Sequence, residues 1–216
     1  MLFFWFLRNY VTRSETRRAR STLAPTTTEI RDFFERVATD WDTMRLAYYD
    51  ESVIERMSAH SGLSGATDPA RVVDVGTGTG FVAAGLAPRV GRVIGVDNSP
   101  AMLRTARENL DALGVENAEL LQGDLSALPL PDGSVDAAFA NMVLHHAEDP
   151  AAMLAEMARV VRPGGSVVIS DEMEHPYEWM RREHADVWLG FSENEVAGFF
   201  EGAGLAGYGY ESLGMQ

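Results

Sequence analysis

Three features of the sequence predict an α/β protein built on a doubly wound, mostly parallel sheet. From Arg71 onward, short apolar runs alternate with helical stretches, the pattern of parallel strands covered on both faces. The first run leads directly into a glycine loop, VVDVGTGTG over residues 72–80. The second run closes on an acidic residue, Asp97, about 20 residues after that loop, where such sheets hold a nucleoside ribose.

The elements follow in order. Residues 1–25 are expected to form a flexible, arginine-rich leader. Its MLFFWFL start has no positive residue ahead of it and is interrupted by Arg8, so it is too short to span a bilayer and no stable membrane insertion is expected. Residues 26–70 make an N-terminal helical cap and linker. Thr26 and Glu29 have capping-box spacing, and Ile30, Phe33, Phe34, Val37 and Trp41 share one helical face. A second short helix covers Glu51 to Ala59, and HSGLSGATDPA over 60–70 is a glycine- and serine-rich connection.

Residues 71–216 carry the main domain. Strands are expected over 71–75, 92–96, 118–122, 135–140 and 166–170. Ser99-Pro100 starts one intervening helix and Gly114 stops it. Asp149-Pro150 starts the next, with Leu154, Met157, Val160 and Val161 on its apolar face before Arg162-Pro163-Gly164-Gly165 ends it. Ser192 and Glu195 repeat the capping-box spacing ahead of Val196, Phe199 and Phe200. A last strand around Tyr208 to Leu213 finds no hairpin partner before Gln216. The expectation is an unpaired sheet edge or a chain that continues further.

Composition removes whole classes of chemistry. At 216 residues with 46% hydrophobic content the chain can bury a sizeable core. Its net charge of −14 disfavours a nonspecific hold on nucleic acid, which needs clustered cations to displace counterions from phosphates. All 18 basic residues are Arg and none is Lys, which excludes a Schiff-base lysine and a Walker-type phosphate loop. With no Cys there is no disulfide, thiolate metal site or cysteine nucleophile. A cytoplasmic monomer or homodimer is the default expectation.

The glycine loop has an unusual register. A nicotinamide fingerprint would place a third glycine where Phe81 stands. The sequence runs Asp74-x-Gly76-x-Gly78-x-Gly80 instead. Asp74 adds negative charge where a pyrophosphate would lie, which favours a ligand carrying an amine over one carrying phosphates. Asp97 can accept from ribose hydroxyls, and Asp124 in LLQGDLSALPLPDGSVD can accept from an adenine amine. Any one of these residues also serves as an ordinary turn or cap, and their ordered spacing gives them meaning together.

On these residues the chain resembles the class I S-adenosylmethionine-dependent methyltransferases, in the small-molecule branch similar to the ubiquinone/menaquinone C-methyltransferases. The resemblance covers roughly 71–171 and rests on VVDVGTGTG, VIGVDNSPAML, GDLSALPLPDGSVDAAFANMVLHH and RVVRPGGSVVISD. It implies a Rossmann-like methyltransferase fold and S-adenosyl-L-methionine as cofactor. Asp74, Gly76 and Gly78 would surround the methionine moiety, Asp97 and Asn98 the ribose and adenine edge, and Asp124 and Leu125 the adenine. Asn141 would line the pocket near the sulfonium, and Thr77, Gly80 and Gly123 complete the cofactor-binding set.

Methyl transfer is an in-line displacement that asks the protein for alignment and, where the acceptor carries a proton, a base. His145 and His146 follow the fourth strand and are the catalytic candidates. No third ligand stands at the usual spacing, so no metal is expected. DEMEHPYEWMRREHADVWLGF (171–191) follows the fifth strand, where relatives build the acceptor cover. Its Glu172, His175, Tyr177, Trp179, His184 and Trp188 either line that pocket or pack as core. By the same analogy Trp41, Tyr48 and Tyr49 belong to a lid over the cofactor. The leading expectation is methyl transfer to O, N or C of a small molecule. RNA or protein methylation, metalloid methylation without the thiols it would need, and a non-catalytic nucleoside-binding module are the alternatives.

Overall fold

A computed structural model describes residues 2–6, 21, 24–63 and 68–213. In chain order these form β1 (Leu2–Phe6), α1 (Thr27–Val37), α2 (Trp41–Met44), α3 (Ser52–His60), β2 (Asp68–Val75), α4 (Phe81–Leu86), β3 (Val90–Asp97), α5 (Pro100–Ala112), β4 (Ala118–Gln122), β5 (Val135–Asn141), α6 (Pro150–Val160), β6 (Val161–Glu172), α7 (Met180–Glu183), α8 (Glu193–Gly202) and β7 (Gly209–Ser212). The strands make one sheet in the order β4-β3-β2-β5-β6-β1-β7. Strands β2 to β6 are parallel, and β1 is antiparallel to both of its neighbours. Strand order reverses between β2 and β5, so the crevice beyond their carboxyl ends is where a ligand is expected in such a sheet.

Both faces of the sheet are covered, which explains why its strands read as continuous apolar runs. Val72, Val93, Ala137, Phe139 and Val168 point into one core with Val53, Ile54 and Met57 of α3 and Leu86 of α4. Their neighbours Val73, Ile94, Ala138, Val167 and Ile169 point into the other, with Leu154 and Met157 of α6 and Val196 and Phe200 of α8. Alternate side chains of one strand thus leave water on opposite sides. Each fully buried Val, Leu or Phe contributes about 1.5–3 kcal/mol by transfer.

Helix starts fall where the side chains dictate. Thr26 and Ser192 form complete capping boxes with Glu29 and Glu195, and Ser99 and Asp149 accept from the first turns of α5 and α6, each followed by proline. Two boundaries differ from the sequence reading. The first amphipathic helix stops at Val37 and restarts at Trp41. The Arg162 to Gly165 stretch, expected to end the helix ahead of a strand at 166, already belongs to β6, which begins as α6 ends.

The amino-terminal edge corrects two expectations. The expected flexible leader opens with a strand, and that strand fills the slot between β6 and β7, with Phe4 opposite Ser170 on one side and Glu211 on the other. The last strand therefore has a partner, drawn from the opposite end of the chain. A run of bulky aromatic and aliphatic residues has the preference for such pairing that a leader lacks. The arginines of 8–20 and residues 214–216 lie outside the described residues.

Candidate active site

A cavity of about 350 Å³ opens at the reversal of strand order, between the glycine loop, the ends of β3, β4 and β5, and the N-terminal cap. Gly76, Thr77 and Gly78 form one wall, Asp97 and Asn98 a second, and Asp124, Leu125 and Asn141 a third. The cap closes it with Ile30, Phe34, Trp41 and Tyr49. Trp41 and Tyr49 thus lie where a lid was expected, whereas Tyr48 turns away to His184, 3.2 Å from its Nε2.

The loop is bare because backbone and neighbours occupy the space a side chain would take. Gly76 has φ +72°, and a Cβ there would stand 2.4 Å from Cγ2 of Val143. Asp97 holds the next turn: Oδ2 accepts from the Gly78 N–H and Oδ1 from the Ser99 N–H, both at 2.9 Å. Burial raises its pKa above the ordinary carboxylate value, against the bonds from Ser99 and Gly78 that lower it. Asp124 is exposed at the mouth, where its Oδ1 accepts from Ser126.

Asp74 stands behind the loop. It does not line the cavity. Its Oδ2 accepts from the Thr77 hydroxyl at 2.6 Å and the Ala83 N–H at 3.1 Å, bracing the loop against the first turn of α4. Burial drives its pKa up to about 7 despite those two bonds. Gly80 and Gly123 are also behind the wall: a Cβ would meet Ala106 at 3.3 Å in the first case and Pro129 at 2.7 Å in the second. All three shape the cavity and leave the lining to their neighbours.

The lining residues fit a nucleoside that carries positive charge and no phosphate. Asp97, Asp124, Glu148 and Asp149 line the cavity, and no arginine does among the described residues. Asn141 Oδ1 is buried there with no partner in the protein, an acceptor whose burial costs about 1–3 kcal/mol until a donor reaches it. An ammonium group supplies that donor and a phosphate would be repelled.

Three polar ties that sequence spacing did not reveal fasten the cap over the cavity. Asp42 accepts from the Thr79 hydroxyl at 2.7 Å and from Asn109 Nδ2 at 2.8 Å. Glu35 accepts from the Ser99 hydroxyl at 2.8 Å and the Ala101 N–H at 3.1 Å. Thr27 donates to Glu148 at 2.8 Å.

The two histidines part company. His146 lines the cavity, edge-on to Phe34 with ring centroids 4.9 Å apart. Burial, reinforced by the charge of His145, holds its pKa well below the usual value, so its imidazole is neutral. His145 lies behind it, buried, with Nδ1 2.7 Å from Asp171 Oδ1. Burial pulls its pKa down, but Asp171, Glu172 and Asp186 overcome this and carry it up to about 10. As a cation outside the cavity lining, His145 does not have the position of a base.

Behind this pair the segment after β6 folds into a second, small polar chamber. Glu172 and His184 reach it, together with Asp186, a residue the sequence reading passed over. Tyr177 and Trp179 are exposed instead, at 54% and 42%, and Trp188 packs into the core with its Nε1 donating to the Ala147 carbonyl. An acidic residue inside the apolar run Ala185 to Phe191 was the available signal for Asp186.

Fold and cavity together define a doubly wound domain with an acidic cavity of nucleoside-binding type, and known methyltransferases resemble it. Residues 73–169 match the family model described as a methyltransferase domain. A demethylmenaquinone methyltransferase of Tropheryma whipplei is 35% identical over 150 residues, 69% of this chain and 61% of the relative. An arsenite methyltransferase of Halobacterium salinarum is 40% identical over 106 residues, 48% of this chain and 27% of the relative. This chain therefore spans less than two thirds of the length of either. Among solved structures, an S-adenosylmethionine-dependent methyltransferase from Aquifex aeolicus superposes with a TM-score of 0.59 at 27% identity, covering 83% of this chain and 88% of that one. Over residues 73–169 the chain is thus similar to S-adenosylmethionine-dependent methyltransferases.

Proposed function

We propose that this protein transfers a methyl group from S-adenosylmethionine to a small-molecule acceptor, in the cytoplasm, as a monomer or homodimer. The acidic, arginine-free cavity on the glycine loop is the observation that carries this reading. Asp97 and Asn98 would take the ribose side, Asp124 and Leu125 the base, and Gly76, Gly78 and Asn141 the methionine end. When bound, the cofactor supplies an electrophilic methyl on a good leaving group. The chain's own part is then alignment, exclusion of water and removal of a proton.

His146 is the residue placed to take that proton, since it is neutral and shares the cavity with Asn141 and Met142. His145 would act through it, fixed by Asp171. The relatives named for quinone-type acceptors, including a 2-methyl-6-phytyl-1,4-hydroquinone methyltransferase of rice at 35% identity, favour an aromatic or lipid-like acceptor under the apolar cap. No helix of the described residues is long and apolar enough to cross a membrane.

Calorimetric titration with S-adenosylmethionine, followed by acceptor screening with a labelled methyl group, tests the proposal. Binding in the micromolar range and label transfer to a phenolic or hydroquinone acceptor are expected. Absence of heat with the cofactor would overturn it. His146→Ala should lower turnover at least tenfold with cofactor affinity unchanged, and unaltered turnover would remove the base.

A further inference from the structure

We infer that the chamber behind the cofactor cavity is a binding site for one first-row divalent transition-metal ion, such as Zn²⁺, held by Asp186, His145 and His146. This goes beyond methyl transfer and does not depend on it, and an ion on Nδ1 of His146 would leave that ring's Nε2 protonated and out of service as the base.

Asp186 is fully buried, and neither of its carboxylate oxygens has a hydrogen-bond partner. A buried carboxylate with nothing on either oxygen is among the least favourable groups a protein can hold, and it persists where a cation completes it. His145 Nε2 lies 3.8 Å and His146 Nδ1 3.9 Å from Asp186 Oδ1; His146 Nδ1 also donates to the Ala185 carbonyl at 3.2 Å, a bond and a proton it would exchange for the ion. Donor atoms around a tetrahedral ion at about 2.1 Å stand ~3.4 Å apart. The two histidine–carboxylate separations exceed that by about 0.4–0.5 Å, and all three ligand atoms lie within 4.8 Å of one another. Their burial is complete or nearly so, unlike the acidic clusters that scatter over protein surfaces.

The surroundings are built as metal sites are. His145 Nδ1–H donates to Asp171 Oδ1 at 2.7 Å, so a carboxylate orients this imidazole from behind, and an ion would displace the proton that Nε2 carries in the cationic form. Asp171 is itself held by the Val143 and Leu144 N–H groups at 3.1 and 2.8 Å. The chamber measures about 20 Å³, room for a single ion or water, and Glu172 lines it as a further oxygen donor. Among the described residues no arginine lines it to neutralise these carboxylates. The imidazole and carboxylate set, in a chain without cysteine, suits Zn²⁺, Fe²⁺, Co²⁺ or Mn²⁺ better than Cu⁺. Met142 and Ala185, the described non-glycine residues with positive φ (55° and 62°), immediately precede the two segments that bring the ligands together.

The ligands come from the short helical turn after β5 (Leu144–His146) and from the loop after α7, about 40 residues apart, so no spacing motif announces them. Trp41, Tyr49, Met142 and His146 line both cavities. An ion on Asp186 would therefore stand against the wall of the cofactor cavity.

The test uses the full chain stripped with chelator. Titration with Co²⁺, followed by its visible absorption, and with Zn²⁺ by calorimetry should show one ion per chain with submicromolar affinity. Asp186→Asn should weaken Zn²⁺ binding at least 100-fold, and Asp171→Asn, which only positions His145, 10–100-fold. Both variants are first checked for folding by circular dichroism. Zn²⁺ should also raise the melting temperature of the unmodified chain, a readout independent of any variant. An unmodified, folded chain that takes up neither ion below 100 μM would overturn the inference. So would a folded Asp186→Asn that binds Zn²⁺ as tightly as its parent. Cofactor titration of the same stripped chain reports the methyltransferase reading separately.

Discussion

Replacing Asp97 by alanine tests the cofactor site where the structure makes it most determinate. The carboxylate performs two tasks at once. Its two oxygens each take one backbone N–H, from Gly78 and Ser99 at 2.9 Å, and the residue lines the cavity, where its remaining acceptor capacity would serve the ribose. A hydrogen bond to a charged group contributes about 1.5–3 kcal/mol. Loss of two ribose contacts at the low end of that range is about 3 kcal/mol, or ~100-fold in Kd. Releasing the Gly78 turn adds about 1 kcal/mol, so a loss of ~10²–10³-fold is expected from these terms together. Asn is no rescue. Because the two N–H groups address different oxygens, an amide must point its own NH₂ at one of them, and Asp97→Asn should lose ~10–100-fold by the same arithmetic. Asp124→Ala, at an exposed position whose described bonds go to its neighbour Ser126, should lose less than about fivefold. Isothermal titration with S-adenosylmethionine, on proteins matched by circular dichroism, measures all three. A folded Asp97→Ala variant within threefold of its parent would refute the assignment.

Other substitutions probe the loop and the cap. Gly76→Ala should destabilise the fold by about 2–4 kcal/mol, combining positive φ with a Cβ driven into Val143, and a urea midpoint unchanged from the parent would contradict this. Asp74 gives a pH signature: its folded pKa of about 7 lies above the ordinary 3.8, so the folded state holds the proton more tightly. Stability should fall as pH rises from 3.8 towards about 7 and stay low above it. Asp74→Asn should remove that slope while its carbonyl oxygen still accepts from Thr77 and Ala83; urea midpoints between pH 4 and 8 that run parallel for both proteins would refute it. Asp42→Ala should raise the cofactor off-rate about tenfold, read by stopped-flow fluorescence of Trp41, with little change in melting temperature.

Much of the fold was legible because its signals are local. The parallel strands are apolar on both faces, so Val72 and Val73 read as a run although they enter different cores. Ser99-Pro100, Asp149-Pro150 and the two capping boxes mark helix starts within a single turn. The glycine register and Asp97 pointed to the crevice beyond the strand ends for the same reason, and Gly76, Gly78 and Asp97 line the cavity there. What was hidden depends on contacts distant in sequence. Nothing in LFFWF says that it will pair with Gly209–Ser212, about 200 residues away, and the run reads equally as a leader. Asp74 was placed correctly along the chain, but the direction of its side chain follows from the turn at Gly76, which sequence does not display. Asp186 meets His145 only through the return of the loop after α7, and Asp42 meets Thr79 only when the cap closes.

That closure bears on how the cavity is reached. Residues of α1 and α2 cover it, so ligand exchange requires part of the cap to move. Helix α1 is anchored by Ile30 and Phe33, each 7% exposed and packed on the main core. Pulling both from contact would cost about 3–6 kcal/mol. Helix α2 buries no residue and is held at its start by Asp42, whose two bonds to Thr79 and Asn109 are worth about 1 kcal/mol each against water. The cheaper motion therefore swings α2 and carries Trp41 off the glycine loop, while α1 stays in place with Phe34 against His146. On this account a ligand passes beneath Trp41, and the half of the cap that contacts His146 keeps that end of the cavity covered while its other end exchanges.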